Sequence, residues 1–290
     1  MKYRILHTTE YASIDPISVG HNEAWLTPRN TARQIVLSHW IDIQPKPSAS
    51  STLTDYFGNT VTQFIFNQGY ESLKISAVNE VELLEPALEH ADGPAWETVL
   101  AELQSHRTPP ALQAYEFTFD SPRCRTSTEF ADFARPACIP GRPIRQVLTE
   151  LLQTFHDEFQ YDPTATTVFT PVEQVFRSRR GVCQDFSHLM ISMFRSLGFA
   201  ARYVSGYLRT IPAPGKPSLL GADASHAWLS VYGGSLGWID IDPTNNLFSS
   251  SNHVTIAWGR DYADVAPVKG VYVGGSSPQL KVSVDVRPVG

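Results

Sequence analysis

Gly181-Val182-Cys183-Gln184-Asp185-Phe186-Ser187-His188-Leu189-Met190-Ile191-Ser192-Met193-Phe194-Arg195-Ser196-Leu197-Gly198 is the stretch on which the fold turns. Apolar residues at 182, 186, 189, 190, 193, 194 and 197 keep steps of three and four, the period of an amphipathic helix with one buried face. Gly198 is placed to end it. A cysteine just inside the start of such a helix meets unpaired backbone N–H groups and the positive end of the dipole, which favour its thiolate. Cys183 is therefore a candidate nucleophile.

A chain of 290 residues holds one large or two medium domains, and the patterning favours two. Apolar residues at 42% and charged residues at 18% describe an ordinary globular protein. No run approaches the roughly 20 apolar residues that span a bilayer. The N-terminal Met1-Lys2-Tyr3-Arg4-Ile5-Leu6-His7 lacks the apolar core and small-residue cleavage site of a secretory signal, so a cytoplasmic location is expected. A net charge of -6 without a basic run argues against a nucleic-acid partner, because phosphate neutralisation needs clustered Lys and Arg. Three cysteines with no CxxC pair signal neither a disulfide framework nor a thiolate zinc site. Cys124 and Cys138, in or near loops, read as inert thiols.

Residues 1–86 read as strands. Tyr3, Ile5, His7, Thr9 and Tyr11 alternate with Arg4, Leu6, Thr8 and Glu10, and 34–43, 61–66 and 73–84 are β-rich runs separated by turns. Asp55-Tyr56-Phe57-Gly58-Asn59 supplies residues that tolerate positive φ. An antiparallel β-domain follows, and His7, His21 and His39, scattered without ligand spacing, read as structural or exposed. Residues 87–110 are expected to link this domain to a catalytic one at 111–265, with a short helix around Trp96 to Leu103. Pro143 starts a helical stripe with apolar residues at 144, 147, 148, 151, 152, 155 and 159, stopped by Tyr161-Asp162-Pro163. Thr170-Pro171-Val172-Glu173 has the spacing of a capping box ahead of a short helix. After the cysteine helix come a strand at 200–207, a Pro/Gly loop at 210–221, and two alternating runs, 225–232 and 237–242, joined by a hairpin loop. Residues 266–290 carry closing strands, for which a return to the N-terminal sheet is one option.

Thiol catalysis needs a base for the nucleophile and a third group to orient that base. If Tyr232 pairs opposite Trp238, the register puts Asp242 opposite Trp228, one diagonal step from His226, with all these even-numbered residues on one face. A slip of one residue would separate them. Asp240 is the rival orienter, two residues back along the strand. His188 is the rival base, but five positions after Cys183 on one helix it points away from the sulfur.

Four blocks now carry a family resemblance: Gly181-Val182-Cys183-Gln184-Asp185-Phe186, Ala201-Arg202-Tyr203-Val204-Ser205-Gly206-Tyr207, Ser225-His226-Ala227-Trp228 and Trp238-Ile239-Asp240-Ile241-Asp242-Pro243-Thr244. They resemble the core of the bacterial transglutaminase-like superfamily. His7-Thr8-Thr9-Glu10-Tyr11, Leu26-Thr27-Pro28-Arg29 and Asp55-Tyr56-Phe57-Gly58-Asn59 resemble the β-rich domain that precedes that core in many bacterial members. The resemblance implies an α+β fold: a papain-like core in which a helix bearing Cys183 packs on an antiparallel sheet bearing His226 and Asp242, with these three as nucleophile, base and orienting carboxylate. It implies an amide- or isopeptide-cleaving cysteine hydrolase acting on a peptide or protein substrate through a thioester, with protein-glutamine acyl transfer to an amine as the first alternative. A non-catalytic binding module, whose β-domain recruits a protein, is the second. No cofactor, metal or membrane partner is implied. Arg177 stands six before the cysteine, where papain-like proteases carry a glutamine, so the oxyanion donor beside the Cys183 N–H is unassigned. Arg260-Asp261-Tyr262 resembles a late segment of the family, read either as cleft lining or as packing.

Overall fold

A computed structural model of the chain describes residues 1–84, 91–105, 107–209, 225–276 and 279–289. The expected Pro/Gly loop at 210–221 lies outside them. The first half of the fold is a sheet built on β1 (Lys2–Ala24), with β2 (Gln34–Gln44), β3 (Ala49–Thr54), β4 (Thr60–Phe66) and β5 (Tyr70–Leu83) in the order β2-β5-β1-β4-β3. Its alternation is the one written in the sequence: Tyr3, Ile5, His7 and Thr9 are buried along one face of β1.

Helices then take over: α1 (Trp96–Ser105), α2 (Pro109–Tyr115), α3 (Thr128–Ala134) and α4 (Ile144–Glu158). The stretch expected to be a linker thus contains a packed helix, with Val99 and Leu103 of α1 in the same apolar cluster as α4. The α4 stripe buries Ile144, Val147, Leu148, Leu151, Leu152 and Phe155. The two-residue strands β6 (Gln160–Tyr161) and β7 (Arg180–Gly181) pair in parallel on either side of α5 (Val172–Ser178). No capping box forms at α5: Pro171 is its N-cap residue, and the Thr170 hydroxyl instead accepts the Thr167 N–H at 2.9 Å.

The cysteine helix, α6 (Cys183–Ser196), ends on Gly198 at φ +90°, as its glycine predicts. It differs from the expected one-faced helix in being buried on nearly all sides. It is wedged between α3 and α5 on one side and β8 (Ala201–Leu208) and β9 (Ser225–Tyr232) on the other. Its polar residues survive burial because each finds a partner. The Ser187 and Ser192 hydroxyls donate to the carbonyls of Cys183 and His188 at 2.7 and 2.9 Å. The Arg195 guanidinium donates to the carbonyls of Phe117, Ala201 and Arg260.

The strands β10 (Trp238–Asp242), β11 (Leu247–Phe248) and β12 (His253–Gly259) complete a second antiparallel sheet, ordered β11-β10-β9-β8-β12. The β9–β10 register pairs Trp238 with Tyr232 and Ile241 with Leu229, as the sequence predicts. After α7 (Tyr262–Val265), β13 (Val268–Gly274) and β14 (Gln279–Pro288) return to pair with β1.

The two sheets meet along β12. Its free edge is met by side chains instead of a strand. The Gln34 amide donates to the Thr255 carbonyl at 2.7 Å and accepts the Thr255 N–H at 2.9 Å. Asn59 does the same for Trp258, at 2.8 and 3.0 Å. The Asp55 carboxylate holds the Asn59 side chain at 2.8 Å, which gives the Asp55–Asn59 turn a physical purpose. The Arg29 and Arg202 guanidiniums lie over the Trp258 ring at 3.6 and 3.7 Å, and Arg202 also lies over Trp238 at 4.0 Å. Among the described residues, no helix is long and apolar enough to cross a membrane.

Candidate active site

Cys183 opens α6, and the turn that delivers it is built from the residues around it. The Asp185 carboxylate folds back to accept the Val182 N–H at 2.9 Å and the Thr166 hydroxyl at 2.5 Å. That leaves no room for a side chain at Gly181, whose Cβ would sit 2.9 Å from the Cβ of Asp185. Gly-Val-Cys-x-Asp is thus one device that caps the helix and points its first side chain outward. The sulfur is half-buried, packed against the edge of the core. Cys124 is fully buried, with its thiol pushed up to about 12 by desolvation, and Cys138 up to about 11 for the same reason.

His226 enters on the first turn of β9 and Asp242 ends β10. The ring donates from Nε2 to Asp242 Oδ2 at 2.7 Å, and its other polar partner is the Cys183 side chain. Burial works against a charged ring here, but the hydrogen bonds and charges of Asp242 and Cys183 prevail and raise the imidazole to about 10. Asp242 is wholly enclosed. Desolvation pushes its carboxyl up. The hydrogen bonds from His226, His253 and Asn245 outweigh that and hold it well below the usual carboxylate range. Its Oδ1 accepts the N–H groups of Thr244 and Asn245 at 3.0 and 3.3 Å, while Oδ2 takes the Asn245 amide at 2.6 Å and His253 Nε2 at 3.1 Å.

The structure therefore brings Cys183, His226 and Asp242 together, and it separates them from both rivals. Asp240 turns to the Ser230 hydroxyl and, at 3.4 Å, to the Trp228 indole N–H. His188 is buried on α6, where Nε2 accepts the Tyr262 N–H at 3.1 Å; desolvation pushes it down to about 3. Asp261 packs rather than lining a cleft, accepting the N–H groups of Arg123 and Ala263 at 2.8 Å each. Arg177 is exposed.

Sequence reasoning missed His253 and Asn245. Asn245 carried a local signal, since it lies directly after the Asx turn in which Asp242 accepts the Thr244 N–H. His253 carried none, because β12 lies beyond β9 and β8 from Asp242. Gly206 of β8 makes their meeting feasible. A Cβ there would lie 2.4 Å from the Trp228 ring, which comes close to the bare backbone and stands nearly perpendicular to the His253 ring at 5.2 Å.

His226, Asp242 and His253 have the residue types of a divalent-metal site, with ligand atoms within 4.8 Å of one another. The hydrogen bonds assign them differently. The Ser250 N–H donates to His253 Nδ1 at 3.1 Å, so the ring proton sits on Nε2, which donates to Asp242 and has no lone pair left for a cation.

Comparison with known proteins agrees with this geometry. Residues 132–243 match the transglutaminase-like superfamily, and residues 3–82 match the bacterial transglutaminase-like N-terminal region. An uncharacterized protein of Mycobacterium tuberculosis H37Rv is 37% identical over 99% of this chain and 93% of its own. A protein-glutamine gamma-glutamyltransferase of Pseudomonas aeruginosa is 32% identical, but over 34% of this chain and 15% of its own length. The solved structure of the "Putative Cysteine Protease from Cytophaga hutchinsonii" superposes with a TM-score of 0.73 at 20% identity, covering 100% of this chain and 92% of that one, which is a likeness of fold. A helix-start cysteine facing a strand-borne histidine and carboxylate, behind an N-terminal β-domain that matches in its own right, places the chain in the transglutaminase-like superfamily.

Proposed function

We propose that the protein is a cysteine hydrolase that cleaves amide or isopeptide bonds in a peptide or protein substrate. The observation that carries this reading is the 2.7 Å hydrogen bond from His226 to Asp242, with the Cys183 side chain an electrostatic neighbour of the same ring. With the imidazole raised to about 10, His226 is protonated at neutral pH and can stand as the counter-ion of a Cys183 thiolate at the positive end of α6.

In the cycle, the thiolate sulfur attacks the carbonyl carbon and the oxyanion forms beside the Cys183 N–H. His226 gives its proton to the leaving amine as the C–N bond breaks, leaving a thioester and a neutral imidazole. That imidazole takes a proton from water, the hydroxide displaces the sulfur, and the acid departs. Asp242 stays ionised throughout, holding the ring and balancing the imidazolium. Cys183→Ala is expected to lower turnover of a fluorogenic peptide amide about 10⁴-fold or more. Hydrolysis by that variant at the wild-type rate would remove the reading.

An amine in place of water would make the same thioester a step in acyl transfer. The Pseudomonas aeruginosa transferase, similar over 34% of this chain, supports this second reading. Mass spectrometry of products formed with a glutamine peptide and a small primary amine separates the two: a product carrying the amine indicates transfer, and the free acid indicates hydrolysis.

A further inference from the structure

Asp242 spends one oxygen on two histidines. Oδ2 accepts His226 Nε2 at 2.7 Å and His253 Nε2 at 3.1 Å. His253 does not touch Cys183 in any described contact. Its ring is nevertheless fixed as tightly as that of His226: it is 5% exposed, Nδ1 accepts the Ser250 N–H at 3.1 Å, and it stands nearly perpendicular to the Trp228 ring. A backbone N–H is an obligate donor, so the Ser250 contact dictates the tautomer. His253 presents a permanent Nε2–H to the carboxylate.

The need for such a donor follows from the chemistry of the cycle. Asp242 also accepts the Thr244 and Asn245 N–H groups and the Asn245 amide, and each donor removed from such a buried carboxylate leaves more of its charge on the His226 ring. With too few donors it would hold the proton so firmly that the imidazolium became a poor acid toward the leaving amine and seldom became the base that deacylation requires. The His253 N–H joins the Asn245 amide on Oδ2 and draws off a further share of the charge. We propose that His253 is a positioning residue that keeps Asp242 ionised and directed at His226 while drawing off part of its charge, so that His226 can release its proton within the cycle.

The charged and titratable groups around this pair are few. From α6 the Cys183 side chain faces His226; from β9 and β10 come His226 and Asp242 themselves; from β12 comes His253. On the outer side of His253 lies a cavity of about 550 Å³ whose wall includes Arg33, Arg145, Arg202 and Asp240. Arg33 donates to the Ser249 hydroxyl, Arg202 lies over the Trp238 and Trp258 rings, and Asp240 accepts the Ser230 hydroxyl, so replacing His253 removes one of the polar contacts to the carboxylate and leaves these in place.

His253→Phe removes the donor and keeps a ring, whereas His253→Gln keeps an N–H donor of similar reach. The direct readout is the titration of the His226 ring by 15N NMR, which needs no turnover. In His253→Phe the His226 midpoint should move to higher pH, and in His253→Gln it should return toward wild type. Wild-type spectra should show neutral His253 as the Nε2–H tautomer. In the kinetic arm, which rests on the hydrolase reading, kcat of His253→Phe should fall about tenfold with KM unchanged, and His253→Gln should recover most of the loss.

A His226 midpoint that stays put or moves down in His253→Phe overturns the proposal, as does equal behaviour of the two variants. If His253→Phe fails to fold, an Nδ1–H tautomer in the wild type overturns it and the Nε2–H tautomer supports it. Absence of any Cys183-dependent hydrolysis would instead sink the hydrolase reading and leave the NMR test standing.

Discussion

A half-buried histidine on β9 and a buried one on α6 meet opposite electrostatic fates. At the end of β9, His226 sits between a carboxylate and a sulfur and is raised to about 10. On the body of α6, His188 lies under Tyr203 and accepts a main-chain N–H, and burial pushes it down to about 3. Desolvation works against the charged form of both rings, so burial alone does not decide which one can handle protons. The partner decides: a carboxylate acceptor asks the ring for a proton, whereas an amide donor asks it for a lone pair. A reactive site and a structural one thus use the same side chain a few residues apart in space, told apart by what each nitrogen faces.

The contrast can be broken most forcefully at Asp242. Asp242→Asn replaces the acceptor with a neutral amide, and kcat for amide hydrolysis should fall about 10⁴-fold; a loss under tenfold would show that His226 does not depend on that charge. At the other histidine the effect should be on stability and not on chemistry. His188→Leu strands the Tyr262 N–H, which should cost about 2 kcal/mol in urea unfolding while kcat stays close to wild type. A collapse of kcat in a folded His188→Leu protein would erase the distinction between the two regions.

A subtler test uses pH. His7, bonded to Tyr207 and Thr9 and pushed down to about 4 by desolvation, resembles His188 in holding no proton when folded. Between pH 6.5 and about 4 the unfolded chain binds protons at both positions and the native state does not, so stability should drop as pH falls through that window. His226, with a folded value above its unfolded one, is protonated in both states there and adds no slope; its contribution is full below pH 6.5 and lost as pH rises through about 10. Each depressed histidine is worth up to about 1.4 kcal/mol per pH unit. Denaturant unfolding of His188→Leu across the window should therefore show a slope shallower by about that amount, and an unchanged slope would sharpen the case for His7 alone.

Much of the site was legible because its signals were local. Apolar steps of three and four from Val182 to Leu197, closed by Gly198, announce a helix with Cys183 at its start, and the clean alternation of 225–232 and 237–242 fixes which faces match. Long-range partners were not legible. Nothing near His253 in the chain points to Asp242, since their meeting depends on Gly206 leaving the intervening strand bare. Nor does a 3.6-residue period reveal that α6 is enclosed on all sides, because its serines and Arg195 bond to carbonyls rather than to water. The returning strands β13, of seven residues, and β14, of ten, were visible as strands with the N-terminal sheet as one option for a partner, and both pair with the 23-residue β1.

The amides of Gln34 and Asn59 on β12 also bear on how the halves of this chain can be handled apart. An outer strand with bare N–H and C=O groups recruits whatever extended chain it meets. Here two side chains from the first domain occupy that role, like fingers resting on a zipper. A fragment holding only the second sheet would expose those groups together with the indole of Trp258, and would be prone to self-associate in solution before its chemistry could be assayed.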